Sequence, residues 1–304
     1  MFKKSIVKII FDCYIGILFV FDTISLLIYI FLLFFIIKYY IKNNASIGRE
    51  FLIIFVYNGI LDIIFLLEEY ITFRPAQLGV FRRFYIDIFS KYKISGISCT
   101  YSLCYVIALP FAGLTVTFNR YFAIKFPSKY QYFWSGWRLV ILTIYPVLLL
   151  SPIFFYYFQS KVVYIQDDIG RLTFIYIDND TSKALWDIST YTHCAVMVIY
   201  IILNFLLIKE CRNESKKMSD RKSKLNISVA KIGIVYFVCC ASVTAMEVIS
   251  KTASSLRIYS VSNDIVSIYP FIETLFVFAP LYSLLYLDKD IRLQFLLFIK
   301  MENF

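Results

Sequence analysis

Residues 117–130 read TFNRYFAIKFPSKY and close one apolar run before the next opens. They seat Arg120 between Asn119 and Tyr121, with Pro127 and Tyr130 following. A guanidinium at the end of an apolar run keeps its five N–H donors near water and can grip carbonyls or carboxylates. It can equally be a snorkelling anchor, with its stem among apolar groups and its head in the polar layer. A second set of reactive groups lies within apolar runs: Asp22, Asp62, Glu247 and Glu273, with Glu68 and Glu69 at the end of the second run and the single histidine, His193, in the fifth. Ionisable groups at membrane depth are costly, so they face a bundle interior or a cavity. Glu247 and Glu273, with Tyr101, Ser102, Tyr105, Tyr191 and His193, could line a pocket open to one side, mostly apolar with a few placed polar groups. The competing account of each residue is a hydrogen bond between helices. His193 alone reads as a satisfied interior residue. As a set, the acids suit a ligand with a donor or a positive charge.

These groups need elements to hold them, and composition says which. The chain has 304 residues, 60% hydrophobic and 17% charged, against about 25% charged in an average soluble domain. Lipid solvates such an exterior where water would not. Seven apolar runs each approach the roughly 20 residues that cross a hydrocarbon core: 14–37, 51–71, 94–121, 139–158, 185–208, 227–249 and 264–286. Backbone N–H groups in lipid need internal partners, so the runs are expected to be helices, and the class all-α, a single seven-helix transmembrane domain over residues 1–304. The third run exceeds the span it needs and is expected to tilt. After Pro280, Ile291, Phe295 and Phe298 recur at helical spacing, which predicts a short amphipathic surface helix over 288–300.

The 31 Lys and Arg fall in connections, tails or last helical turns, and Trp134, Trp137 and Trp186 lie beside helix starts, where indole rings prefer the headgroup layer. The net charge of +10 is therefore a membrane-surface signal, with no nucleic acid implied. MFKKSIVKII resembles a signal peptide, but the apolar run behind it is too long for a cleaved one and reads as an uncleaved first helix. Pro110, Pro146, Pro152, Pro270 and Pro280 sit within runs, where each removes a backbone bond. The polar, basic stretch 209–226 reads as a solvated linker that also meets anionic lipid, with Cys211 a candidate for palmitoylation. Cys13 and Cys99 could share one membrane edge and form a disulfide. No metal-ligand spacing, HExxH, GxSxG or phosphate-cradling loop is present, so neither cofactor nor enzyme is expected.

Orientation follows from charge. With the N-terminus outside, the inner connections and tail carry 18 Lys and Arg against 13 outside. Sequons occur at Asn44, Asn179, Asn213 and Asn226. Only Asn179 would then be extracellular and a candidate N-glycosylation site.

The pattern N-R-Y-x-A-I-x-x-P-x-x-Y over 119–130 resembles the D/E-R-Y…P motif of rhodopsin-like G-protein-coupled receptors, with Asn in place of the acid. FPSKYQYFW and APLYSLLYLDKDIRLQF are more specifically similar to the nematode serpentine chemoreceptors of the Srg superfamily, class gamma first and class V second. The resemblance spans the chain, though only these two ends are motif-grade. It implies a plasma-membrane chemosensory receptor with its N-terminus extracellular. Such a receptor binds an extracellular small molecule or peptide and signals to a heterotrimeric G protein. Asn119, Arg120, Tyr121, Pro127 and Tyr130 would form the coupling switch, with 288–300 as the eighth helix. It also implies that Asp62, in GILDII, is a site for an ion or water; an interhelical hydrogen bond is the alternative. The chain departs from the pattern in several places. Asn119 is neutral, the sixth span lacks Trp-x-Pro and has no acid at its start, Pro280 has no preceding Asn, and 159–184 holds no cysteine for a bridge to the third span. A membrane transporter or channel on seven helices is the alternative function. Many transporters carry internal repeats and paired broken helices, and neither is visible here.

Overall fold

The computed structural model describes residues 2–41, 48–167, 170–216 and 221–302. Seven of its helices are long and apolar enough to cross a membrane, and the fold is an all-α seven-helix bundle. They are α1 (Phe2–Phe35, prolonged by a π-helical stretch Ile36–Ile41), α2 (Arg49–Thr72), α4 (Lys93–Lys125), α6 (Gly136–Tyr157), α7 (Asn179–Lys216), α8 (Arg221–Ser255) and α9 (Tyr259–Leu287). Short helices α3 (Arg74–Gln77) and α5 (Pro127–Phe133) fill connections, α10 (Lys289–Glu302) follows the last membrane helix, and β1 (Val162–Gln166) pairs antiparallel with β2 (Leu172–Tyr176).

One expectation about a connection is corrected, and a second connection carries regular structure. The stretch 209–226 is helical wherever it is described, since α7 runs on to Lys216 and α8 begins at Arg221. It contains neither Gly nor Pro and is rich in Lys, Arg and Glu, which tolerate helix well; residues 217–220 lie outside the described residues, as does the sequon Asn44. The connection 159–184 is not plain loop either. Its β-branched and aromatic residues pair in a hairpin with Tyr164 opposite Phe174. Asp167 closes the turn by accepting from the Arg171 backbone N–H (2.9 Å) and Nε (2.6 Å).

The chain forms two compact units. The first comprises Met1–Ile24, Asp62–Ala108 and Val147–Thr192. The hairpin belongs to it and is held without a disulfide. Tyr164 and Leu172 pack with Ala76, Tyr85 and Phe89, while Val162 and Tyr176 pack with Cys99 and Leu185. The Tyr164 hydroxyl donates to the Thr72 carbonyl at 2.8 Å, and the Tyr176 and Thr100 hydroxyls meet at 3.2 Å. A Cβ at Gly96 would collide with the Ser160 carbonyl, so only glycine lets α4 pass this close. The Cys13–Cys99 bridge that the sequence left open does not form: Cys99 is buried against the hairpin, Cys13 is exposed, and both are free thiols.

The second unit comprises Ser25–Leu61, Leu109–Pro146 and His193–Phe304. Tyr29 is fully buried, its ring 6.3 Å from Phe55 and 6.2 Å from Phe278. Gly113 in α4 leaves room for the rings of Tyr200 (α7) and Tyr236 (α8), which a Cβ would strike; small residues allow this kind of close helix packing in membranes. In α10, Ile291, Phe295 and Phe298 are buried, with Phe298 5.5 Å from both Phe35 and Tyr39. The predicted apolar stripe therefore packs on the end of the first helix, and Leu293, Leu296 and Leu297 form the exposed face. Asp288 caps α10 by accepting from the Ile291 N–H at 2.9 Å. Trp134 is another correction, because it is buried in protein, whereas Trp137 and Trp186 are exposed.

Candidate functional site

Proline places the Arg120 site. Pro127 disfavours helical geometry at the residue before it, and Phe126 leaves the helical region with φ −131° and ψ 58°. So α4 stops at Lys125, and Pro127 opens α5 with its φ already suited to a first helical turn. One turn later Tyr130 arrives beside Arg120. The guanidinium is 2% exposed. Its Nε donates to Asn119 Oδ1 at 3.0 Å, its Nη2 donates to the same oxygen, and Nη2 also donates to the Tyr130 hydroxyl at 3.1 Å. Asn119 Nδ2 donates to that hydroxyl at 3.1 Å, closing a three-residue ring. The other face of the cation lies 4.3 Å above the Phe51 ring. Burial pushes the Tyr130 phenol up, opposed by the Arg120 charge and the Asn119 hydrogen bond.

Asn119, Arg120, Pro127 and Tyr130 are thus gathered in one place. Tyr121 turns instead to a neighbouring cluster of Ile124, Leu207 and Ala230. Sequence reading missed Phe51, a ring in a run of apolar residues, and Glu50, whose Oε2 would lie 3.3 Å from a Cβ at Gly48, with the Tyr130 hydroxyl 3.2 Å from it. It also missed the exposed Lys125–Glu210 pair at 2.5 Å, which joins the ends of α4 and α7.

In the first unit most of the interior acids have hydrogen-bond partners, while the buried Tyr101 hydroxyl has none among the described residues. Tyr105 donates to Asp62, giving the interhelical bond that was one of the two accounts of that aspartate. Ser102 offers its one hydroxyl proton to Glu68 and to Glu69 (3.2 Å to the latter), and Thr72 donates to Glu68 at 2.8 Å. Tyr101 lies next to Tyr105, ring centroids 6.3 Å apart. Asp22 is fully buried and pairs with Arg74, with the Tyr70 hydroxyl donating at 2.6 Å. Arg74 carried no sequence signal, since it stands among the charges of a connection. Tyr191 is 65% exposed.

In the second unit His193 Nδ1 lies 2.7 Å from Glu247 Oε2, both buried, and Glu273 is buried on α9. The seven candidate pocket residues thus divide between the units: Tyr101, Ser102, Tyr105 and Tyr191 in the first, His193, Glu247 and Glu273 in the second. Asn179 is exposed at the start of α7, where Asp178 accepts from the Thr181 hydroxyl at 2.6 Å. That bond and the Asp180 N–H hold the Asp178 carboxyl below its ordinary range. Among the described residues no group of three or more His, Cys, Asp or Glu could hold a metal ion.

Comparison with known proteins gives one family. The model described as "Serpentine type 7TM GPCR chemoreceptor Srv" matches residues 18–301. No curated protein matches the chain. The ranking of class gamma ahead of class V is corrected accordingly.

Proposed function

The chain belongs to the Srv family of serpentine seven-transmembrane chemoreceptors, and from that premise we propose that it binds an extracellular small molecule or peptide and signals to a heterotrimeric G protein through the end of α4. It is a multi-pass membrane protein and a chemosensory receptor. The observation that carries the coupling reading is the enclosure of Arg120. A permanent cation sits buried at a helix end, held by an amide, a phenol and an aromatic face rather than by a carboxylate. Neutral partners hold a cation less firmly than an ionised one. Moving α5 would free donors that suit the carbonyls at the end of a Gα helix. Ligand binding then works by favouring the arrangement in which Arg120 is uncovered.

In this reading the N-terminus is extracellular, the Arg120 end faces the cytosol of the plasma membrane, and Glu247 with His193, and Glu273, supply polar contacts of the ligand site. The test is nucleotide exchange on added G proteins in membranes from cells expressing the receptor. Exchange should rise over receptor-free membranes, and Arg120→Ala should return it to background. Equal exchange with and without Arg120 would overturn the reading. Glycan on Asn179, removable by an endoglycosidase, tests the orientation separately.

A further inference from the structure

In the second unit α4, α6 and α7 enclose an open groove of about 360 Å³. Phe118, Leu142, Tyr145, Ile199, Ile202 and Leu206 form much of its wall. Two of its polar groups are already occupied: Thr115 and Tyr145 both donate to the Phe111 carbonyl, at 2.9 Å each. Trp134 also lines the groove, and its buried indole N–H has no hydrogen-bond partner among the described residues. The rest of the wall is carbon. Ile199 and Ile202 on the rim are 50% and 57% exposed on a membrane-crossing helix, so whatever covers the groove comes from the hydrocarbon layer.

Helical spacing adds charge at one end. Arg138, Leu142 and Tyr145 fall at i, i+4 and i+7 on α6, and Ile202, Leu206 and Lys209 at i, i+4 and i+7 on α7. Residues so spaced share a helix face. One turn beyond the apolar wall, each of the two helices therefore presents a cation on its groove side. Lys209 is exposed. The Arg138 guanidinium is steadied by the Tyr132 carbonyl (3.0 Å) and hydroxyl (3.1 Å), which leaves further donors for an anion.

We propose that this groove is a binding site for an anionic membrane phospholipid, with one acyl chain along the carbon wall and the phosphate between Arg138 and Lys209. A sterol fits the wall but gives the two cations nothing to pair with. A zwitterionic lipid meets them with its own positive charge.

The test uses the intact receptor in lipid nanodiscs carrying phosphatidylserine or phosphatidylcholine with a photoreactive group on the acyl chain, followed by mapping of labelled peptides. Both leaflets then hold the probe, so the outcome depends neither on which side Arg120 faces nor on G-protein coupling. Phosphatidylserine should label 142–145 and 199–206 about 30-fold more than phosphatidylcholine, as two basic residues near an anionic surface imply. Arg138→Gln with Lys209→Gln should erase the preference and keep the positions labelled. Ile202→Trp should fill the groove and remove the label, whereas Val198→Trp, at a residue 59% exposed and outside the lining, should leave it. In the unaltered protein alone, equal labelling by the two lipids, label spread over all lipid-facing helices, or displacement of the label by cholesterol would each overturn the proposal.

Discussion

The Tyr130 hydroxyl lies 3.1 Å from Arg120 Nη2, and it reaches there only because Pro127 ends one helix and starts the next. A residue of a connecting segment thus covers the cation that the third membrane helix presents. Opening that contact and exposing Arg120 are one event in this geometry.

Tyr130→Phe should therefore raise ligand-independent signalling. The lost bond has a charged donor and is buried, worth about 2 kcal/mol, so the open arrangement should gain at least about tenfold in population. Nucleotide exchange without ligand measures it. Unchanged basal exchange at equal surface expression would show that the phenol is not a latch.

Asn119→Asp should act in the opposite sense. Asn119 Oδ1 already accepts from two nitrogens of Arg120, and a carboxylate there would add the attraction of an opposite charge to bonds whose donor is already ionised. Basal exchange should drop below that of the parent receptor. A rise would mean that burying the new charge outweighs its pairing.

The buried Asp22–Arg74 pair should behave as a unit. Removing one partner strands the other charge, so Asp22→Leu is expected to cost about 3–5 kcal/mol and to lower the melting temperature in detergent strongly. Asp22→Leu with Arg74→Met should recover most of the loss. Additive losses in the double variant would show that each residue acts through other contacts.

Asp288 gives a graded test of α10. It is 1% exposed, burial pushes its carboxyl up, and its Oδ1 caps the helix. Asp288→Asn preserves the cap without a charge and should be nearly neutral, while Asp288→Ala should cost about 1 kcal/mol. Hydrogen exchange of the α10 amides separates the two, because only the alanine variant should exchange faster. Equal protection in both would remove the cap from the account.

Membrane physics made much of the fold legible from residue order. A stretch that must satisfy its own backbone in lipid has little choice but helix, so the seven spans and the stripe of Ile291, Phe295 and Phe298 could be located directly. The sites were legible in part. Pro127 acts on its immediate neighbours, and its effect on α4 and α5 could be anticipated from order alone. Phe51 could not be anticipated, because a ring that stacks on a cation 69 positions away looks like any other apolar residue. Arg74 looked like a connection charge until α2, continued by α3, carried it back to Asp22.

Alone, the order of residues determined the seven crossings, the Arg120 motif and the identity of the acids buried at depth, since burial in lipid and proline stereochemistry act over a turn or a span. Only the tertiary structure decided which partner each buried charge takes, that a hairpin without cysteine packs on Cys99, and that Tyr130 and Phe51 enclose Arg120. Those outcomes depend on contacts between segments far apart in the chain, and a hydrogen bond or a stacked ring is specified by distance and angle, which composition and periodicity do not carry.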